Sequence, residues 1–201
     1  ILEATDELCA VIDATEAALR DALAKVAKWF GPIAKGPTPP ALNVPAAGAG
    51  GRKAVTVEDD KAQLPLLLIA YPIPGKGQPG WTEMSVVAQV LGGGKSSRLV
   101  RSLQYDKRMA VQVGASVTGL READLFLVEA VPVPGVKTED LTAAIEAEMA
   151  KIVREGIEGK EMRRVKAGLR TARLDALQTV DGVAEALAEG QGSFGDAGAL
   201  D

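Results

Sequence analysis

Three consecutive glycines sit near the middle of this chain, in Leu91-Gly92-Gly93-Gly94-Lys95-Ser96-Ser97-Arg98-Leu99. No other stretch restricts the fold as strongly. Glycine inside a helix or strand costs roughly 0.5–1 kcal/mol relative to alanine, so three in a row interrupt either element. An apolar run with helical spacing leads in over residues 84–91, and a second amphipathic run leads out over 99–103. Thr82 is expected to cap the first helix, with Glu83 in its first turn, where the helix dipole favours negative charge. Gly92 stands where a helix end wants a positive φ. Ser96 or Ser97 is expected to cap the following helix. The motif therefore reads as helix, tight turn, helix. Gly92, Gly93 and Gly94 also leave bare backbone, which another chain can approach closely.

Gly94-Lys95-Ser96 matches the end of a phosphate-binding loop, G-x-x-x-x-G-K-[ST]. That form needs glycine where Gln89 stands, and a strand before the loop where the spacing is helical. Nucleotide binding is the weakest reading of the motif.

The chain has 201 residues, enough for one domain, 1–201, which is expected to be a fragment of a larger protein. A net charge of -4 argues against a general nucleic-acid binder. Lys95, Arg98, Arg101, Lys107 and Arg108 cluster, and a solvated helix face or chamber lining accounts for them. The lone Cys9 excludes an internal disulfide and reads as a small buried hydrophobe. No apolar stretch reaches about 18 residues, so no membrane span is expected. Bacterial periplasm and cytoplasm both stay open as compartments.

The chain contains no histidine. Histidine-dependent triads, Cys–His catalysis and His-containing zinc sites are impossible on it. A Lys95–Ser96 or Lys95–Ser97 nucleophile pair would need a buried, neutral lysine, which nothing in a glycine turn provides. No spaced carboxylate loop of the calcium-binding form occurs, and Asp59-Asp60 reads as a solvated turn. No catalytic and no metal-ligating residue is assigned.

Periodicity places a short strand at 8–13, then a helix capped by Asp13 or Thr15. Leu19, Leu23, Val26 and Phe30 form its expected buried stripe, and Gly31-Pro32 stops it. A Pro- and Gly-rich crossing over 31–51 follows. Strands are expected at 52–58 and, buried on both faces, at 64–71, with a turn-rich loop over 72–80. Val111, Val113, Ala115 and Val117 alternate with Ala110, Gln112, Gly114 and Ser116. A turn at 119–122 and a returning strand at 124–133 complete a hairpin. Thr138 is expected to cap a helix with Leu141, Ile145, Met149 and Ile152 inward, ended by Gly156. A basic helix over 159–178 buries Met162, Val165, Leu169 and Ala172, and a short helix spans 183–189. The class is α+β, a mainly antiparallel sheet with helices packed on it.

The run from Leu91 to Val113 resembles the second-domain signature of the pitrilysin/insulinase-type zinc metallopeptidases, approximately Leu-Gly-Gly-Gly-x-Ser-Ser-Arg-Leu, a charged helix, then a strand. Val11-Ile12-Asp13, Trp29-Phe30-Gly31-Pro32-Ile33, residues 156–162 and Phe194-Gly195-Asp196 extend the likeness over nearly the whole chain. The resemblance implies a metallopeptidase-like α/β roll, one of four similar domains around a hollow chamber. It places zinc on an inverted H-x-x-E-H helix in a companion domain or subunit, with no cofactor in this chain. It implies as partners a peptide substrate and that zinc-bearing domain. The half of such enzymes without metal commonly supplies an arginine and a tyrosine seven residues apart; the matching positions here are Gln104 and Val111, which carry neither the charge nor the hydroxyl. The substrate-chamber candidates are Gly92, Gly93, Gly94, Ser96, Ser97, Gln104 and Val111. The expected role is a non-catalytic domain forming part of the peptide chamber. The alternative is a zinc-free structural or assembly subunit of the same fold, as in respiratory-complex core subunits that resemble it.

Overall fold

The computed structural model describes residues 2–37, 40 and 51–198, with side chains from residue 16 onward. The chain forms two compact units, Ile1–Asn43 and Val44–Asp201.

The first unit is one helix, α1 (Leu2–Phe30). The strand expected at 8–13 is absent: helix runs straight through it and past the expected caps. Residues 2–30 hold no glycine or proline, so nothing local breaks the ladder before Gly31. Leu19, Leu23, Val26 and Phe30 keep their helical spacing, yet all are exposed, which corrects the expected buried stripe. The side chain of Cys9 and most of the 31–51 crossing lie outside the described residues.

The second unit is built on three antiparallel strands in the order β1-β3-β2: β1 (Leu67–Pro74), β2 (Ala110–Val117) and β3 (Ala123–Pro132). One face carries Leu67, Ile69, Tyr71 and Ile73 from β1, and Phe126, Val128 and Ala130 from β3. α2 (Trp81–Gly92), a π-helical segment (Val100–Asp106) with Leu99 just before it, and α3 (Thr138–Glu155) supply Ala88, Leu91, Leu99, Leu103, Leu141 and Ile145 to the same core. Phe126 is fully buried, with the Tyr71 ring 6.4 Å away; burying such a side chain stabilises by about 1.5–3 kcal/mol. β1 is exposed on alternate residues, so it is half-buried rather than covered on both faces, and it runs on to Pro74.

One feature of β2 differs from the expected alternation. The β2–β3 register slips between Ala110 and Gln112, a bulge that turns Val111 outward at 54% exposure while Ala110 and Val113 stay buried. The alternation therefore restarts at Gln112. Residues 52–58 form no strand and pair with none among the described residues, against the expected strand. α4 (Gly159–Ala176) and α5 (Val180–Glu189) complete the unit, followed by a second π-helical segment (Gly190–Phe194). α4 opens on a capping box between Glu158 and Glu161, and of its expected inward residues only Val165 is fully buried. Lys137, not Thr138, occupies the N-cap of α3, and Gly156 ends that helix at φ 75° as expected.

Candidate functional site

The glycine turn forms where α2 ends against β2. α2 starts two residues earlier than its sequence suggests: Gly80 at φ 95° is the N-cap and Thr82 lies inside the helix. Each glycine answers a different demand. A Cβ on Gly92 would sit 1.9 Å from the Ala115 backbone nitrogen, so the end of α2 lies directly on the strand. A Cβ on Gly93 would meet the Gln89 carbonyl oxygen at 2.6 Å. The positive φ expected of Gly92 belongs instead to Gly94, at 88°, where the chain reverses into open space.

The turn is then clamped to α4. Arg164 Nη1 donates to the Gly93 carbonyl at 3.0 Å. Arg98 donates through Nε and Nη2 to both Glu161 carboxylate oxygens at 2.7 Å, and through Nη2 to the Gly156 carbonyl at 2.9 Å. The Arg98 hydrogen bonds hold the Glu161 carboxyl below the usual carboxylate range, against the opposing effect of burial. Arg98 is therefore a structural tie, not part of a solvated basic face. Lys107 likewise turns toward Glu148 at 3.7 Å. Glu148 is buried; burial alone would raise its carboxyl, but Ser102 and Lys151, donating at 2.7 Å and 2.9 Å, outweigh this and lower it.

Of the expected site residues, Gly92, Gly93, Gly94, Ser96 and Ser97 form one turn, whose tip at Gly94, Lys95 and Ser96 is exposed. Ser97 is fully buried, and its hydroxyl, like Arg164 Nη2, has no hydrogen-bond partner among the described residues. The expected side-chain cap is thus absent; only the Ser97 carbonyl serves the helix, accepting from the Arg101 N–H at 3.0 Å. Gln104 and Val111 do come together: the Gln104 amide donates to the Val111 carbonyl and pins the bulge. Sequence reading missed Glu161, Arg164 and Glu148. The Glu158-x-x-Glu161 box was visible as a helix start, but nothing marked its carboxylate as the partner of Arg98.

Arg98→Ala is expected to lower the unfolding free energy by about 1–2 kcal/mol, less than a fully buried pair loses, because both side chains keep some solvent contact. Arg98→Lys should not restore it, since an ammonium cannot engage both carboxylate oxygens and a carbonyl in one plane. Urea midpoints decide; a loss under about 0.5 kcal/mol would reduce the pair to an ordinary surface contact.

Residues 10–169 match the model of the peptidase M16 inactive domain. The chain belongs to the peptidase M16 family. Among relatives of this M16 domain is a zinc protease PqqE of Helicobacter pylori, 27% identical over 139 residues, which cover 69% of this chain and 31% of the relative. A protease from Helicobacter pylori of known structure is 26% identical, with a TM-score of 0.63 over 70% of this chain and 34% of its own. The inactive peptidase domain of a candidate zinc protease from Bordetella parapertussis shares the fold at 22% identity, with a TM-score of 0.59 over 66% of this chain and 71% of its own. The M16 domain thus spans about a third of the length of the curated relative. No helix among the described residues is long and apolar enough to cross a membrane. No group of three or more His, Cys, Asp or Glu among them is placed to hold a metal ion. Without histidine, the residues do not fit the family's zinc motif.

Proposed function

We propose that this M16 inactive domain is one domain of a zinc metalloendopeptidase, walls part of its peptide chamber, and positions extended peptide for a zinc-bearing domain or subunit. The observation that carries this reading is the glycine turn itself. Its base is bound to β2 and α4, while Gly94 presents bare backbone to open space beside the exposed Lys95 and Ser96. Bare, ordered backbone is what an incoming strand can approach. The relatives named as zinc proteases support the enzyme class.

The test uses the complete enzyme, zinc-bearing part included. Ser96→Trp adds bulk at an exposed position that holds no partner, so the fold should be kept. Turnover of an extended fluorogenic peptide should fall about tenfold in kcat/KM, a loss of about 1.4 kcal/mol in transition-state binding. Unchanged turnover would remove the turn from the peptide path. A zinc-free assembly subunit is the second reading, favoured by Gln104, whose amide is spent on pinning the Val111 bulge where a peptide-binding arginine is expected. It predicts no peptidase activity in any complex that contains this chain.

A further inference from the structure

Among the described residues, β1 has a strand partner on one side only. Its free edge is defined by its prolines. Pro72 and Pro74 stand opposite Leu125 and Ala123 in the ladder, yet neither has an N–H to give. The reciprocal bonds to β3 must therefore run through the alternate pairs, Leu67 with Ala130, Ile69 with Val128, Tyr71 with Phe126 and Ile73 with Asp124. The N–H and C=O of Leu68 and Ala70 then point away from β3. Pro65 and Pro72 bracket this stretch, so pairing on the free edge is confined to residues 66–71.

Across from this edge lies a groove of about 630 Å³, with residues 67–72 on one wall, residues 51–55 on the other and Glu146 at its margin. The far wall makes no strand ladder among the described residues. Val55 and Val57 are 85% and 83% exposed, a poor state for β-branched residues in an alternating segment. Arg52 Nη1 holds Glu146 Oε1 at 3.0 Å, which fixes one end of the segment beside α3. Arg52 and Tyr71 both line the groove, and burial and Glu146 push the Tyr71 phenol up while Arg52 acts in the opposite sense. Residues 59–66 join the two walls, so any pairing between them is antiparallel.

We propose that residues 52–57 are a closing strand that seats on the free edge of β1, with Lys53 opposite Ala70, Val55 opposite Leu68 and Val57 opposite Leu66. This register keeps Arg52 opposite Tyr71, on the side where it already meets Glu146. It puts Val55 and Val57 on the same face as Leu66 and Leu68, which are themselves exposed. It satisfies the outward groups of both Leu68 and Ala70 without asking a proline to donate. A tethered strand acts at an effective concentration of the order of millimolar, above what a short free peptide reaches at this edge. The groove is thus the seat of the chain's own strand, which shields an edge otherwise open to aggregation. This inference does not rest on the proposed function.

Amide hydrogen exchange of the whole chain, read residue by residue by NMR, tests it. Leu68, Ala70, Lys53 and Val55 should exchange about 100-fold or more slower than open amides. Ile69 and Tyr71, bonded to β3, serve as the internal standard. Ala70→Pro removes only an outward donor, as Pro72 and Pro74 already do. It should release Lys53 and Val55 while Ile69 and Tyr71 stay protected. Free exchange at Leu68 and Ala70 in the unaltered chain overturns the proposal. So does protection of these amides that appears only on adding the synthetic strand peptide Ac-Thr-Val-Glu-Val-Thr-NH2, or protection of Lys53 and Val55 that Ala70→Pro leaves intact.

Discussion

Gly92→Val is expected to lower the unfolding free energy by about 3 kcal/mol, at the upper end of what overpacking a closed contact costs. Two effects oppose each other at this residue. Gly92 closes α2, where any residue with a side chain would gain up to about 1 kcal/mol in helix propensity over glycine. Against that, a Cβ would stand 1.9 Å from the Ala115 nitrogen and 2.7 Å from the Gly114 carbonyl carbon. Both are backbone atoms of a strand bonded to β3, so neither can move aside without opening the sheet. The clash wins. Gly94→Ala is the comparison: its Cβ meets nothing, and its cost is only that of a left-handed backbone, about 1–2 kcal/mol. Urea midpoints of Gly92→Ala and Gly94→Ala settle the order. If Gly92→Ala is the milder of the two, α2 does not rest on β2 as described.

The contrast between these glycines shows what a sequence can and cannot carry. That the three would break a helix and turn the chain was legible, because chain stiffness is local. Which of them needed a positive φ, and which merely needed to be small, depended on where Ala115 lies, and no local pattern encodes that. The same division runs through the fold. The β2–β3 hairpin, α3 and its Gly156 stop followed from alternation, spacing and the glycine past the helix end. The Val111 bulge did not, because one extra residue in a strand leaves the composition of both faces plausible. The basic residues after the turn read as a face for solvent or substrate. Arg98 instead spends its guanidinium on Glu161, a partner 63 residues away that only the packing of α4 brings near. Helix α1 failed in the other direction: its apolar spacing promised a buried stripe, but spacing states which residues share a face, not whether that face is covered.

Asp124 carries the second large effect. It is 1% exposed at the start of β3 and joins three elements. Its carboxylate accepts from Trp81 Nε1 at the head of α2 at 2.5 Å, from the Thr118 hydroxyl, and from the Gly119 and Leu125 N–H groups at 2.9 Å and 2.7 Å. Burial alone would raise its pKa; the four donors outweigh burial and bring it down to about 2. Asp124→Ala removes a charged acceptor from four donors, on Trp81, Thr118, Gly119 and Leu125, and should cost about 3 kcal/mol, the upper end for hydrogen bonds to a charged group. Asp124→Asn keeps the shape but turns an amide donor toward other donors, and should cost about 2 kcal/mol. The pH dependence follows from the sign of the shift. A depressed carboxylate stabilises the fold fully above its unfolded pKa and loses that contribution as pH falls through its folded value. A fall from the usual 3.8 to about 2 is worth about 2 kcal/mol at neutral pH, of which about half is gone by pH 3 and most by pH 2. Glu148 and Glu161 are depressed too and add their own acid loss, so the wild type alone cannot isolate this one. The difference in urea stability between wild type and Asp124→Asn can: it should shrink by about 1 kcal/mol between pH 7 and pH 3. A constant difference over that range would mean that Asp124 holds α2 to the hairpin by shape and not by its charge.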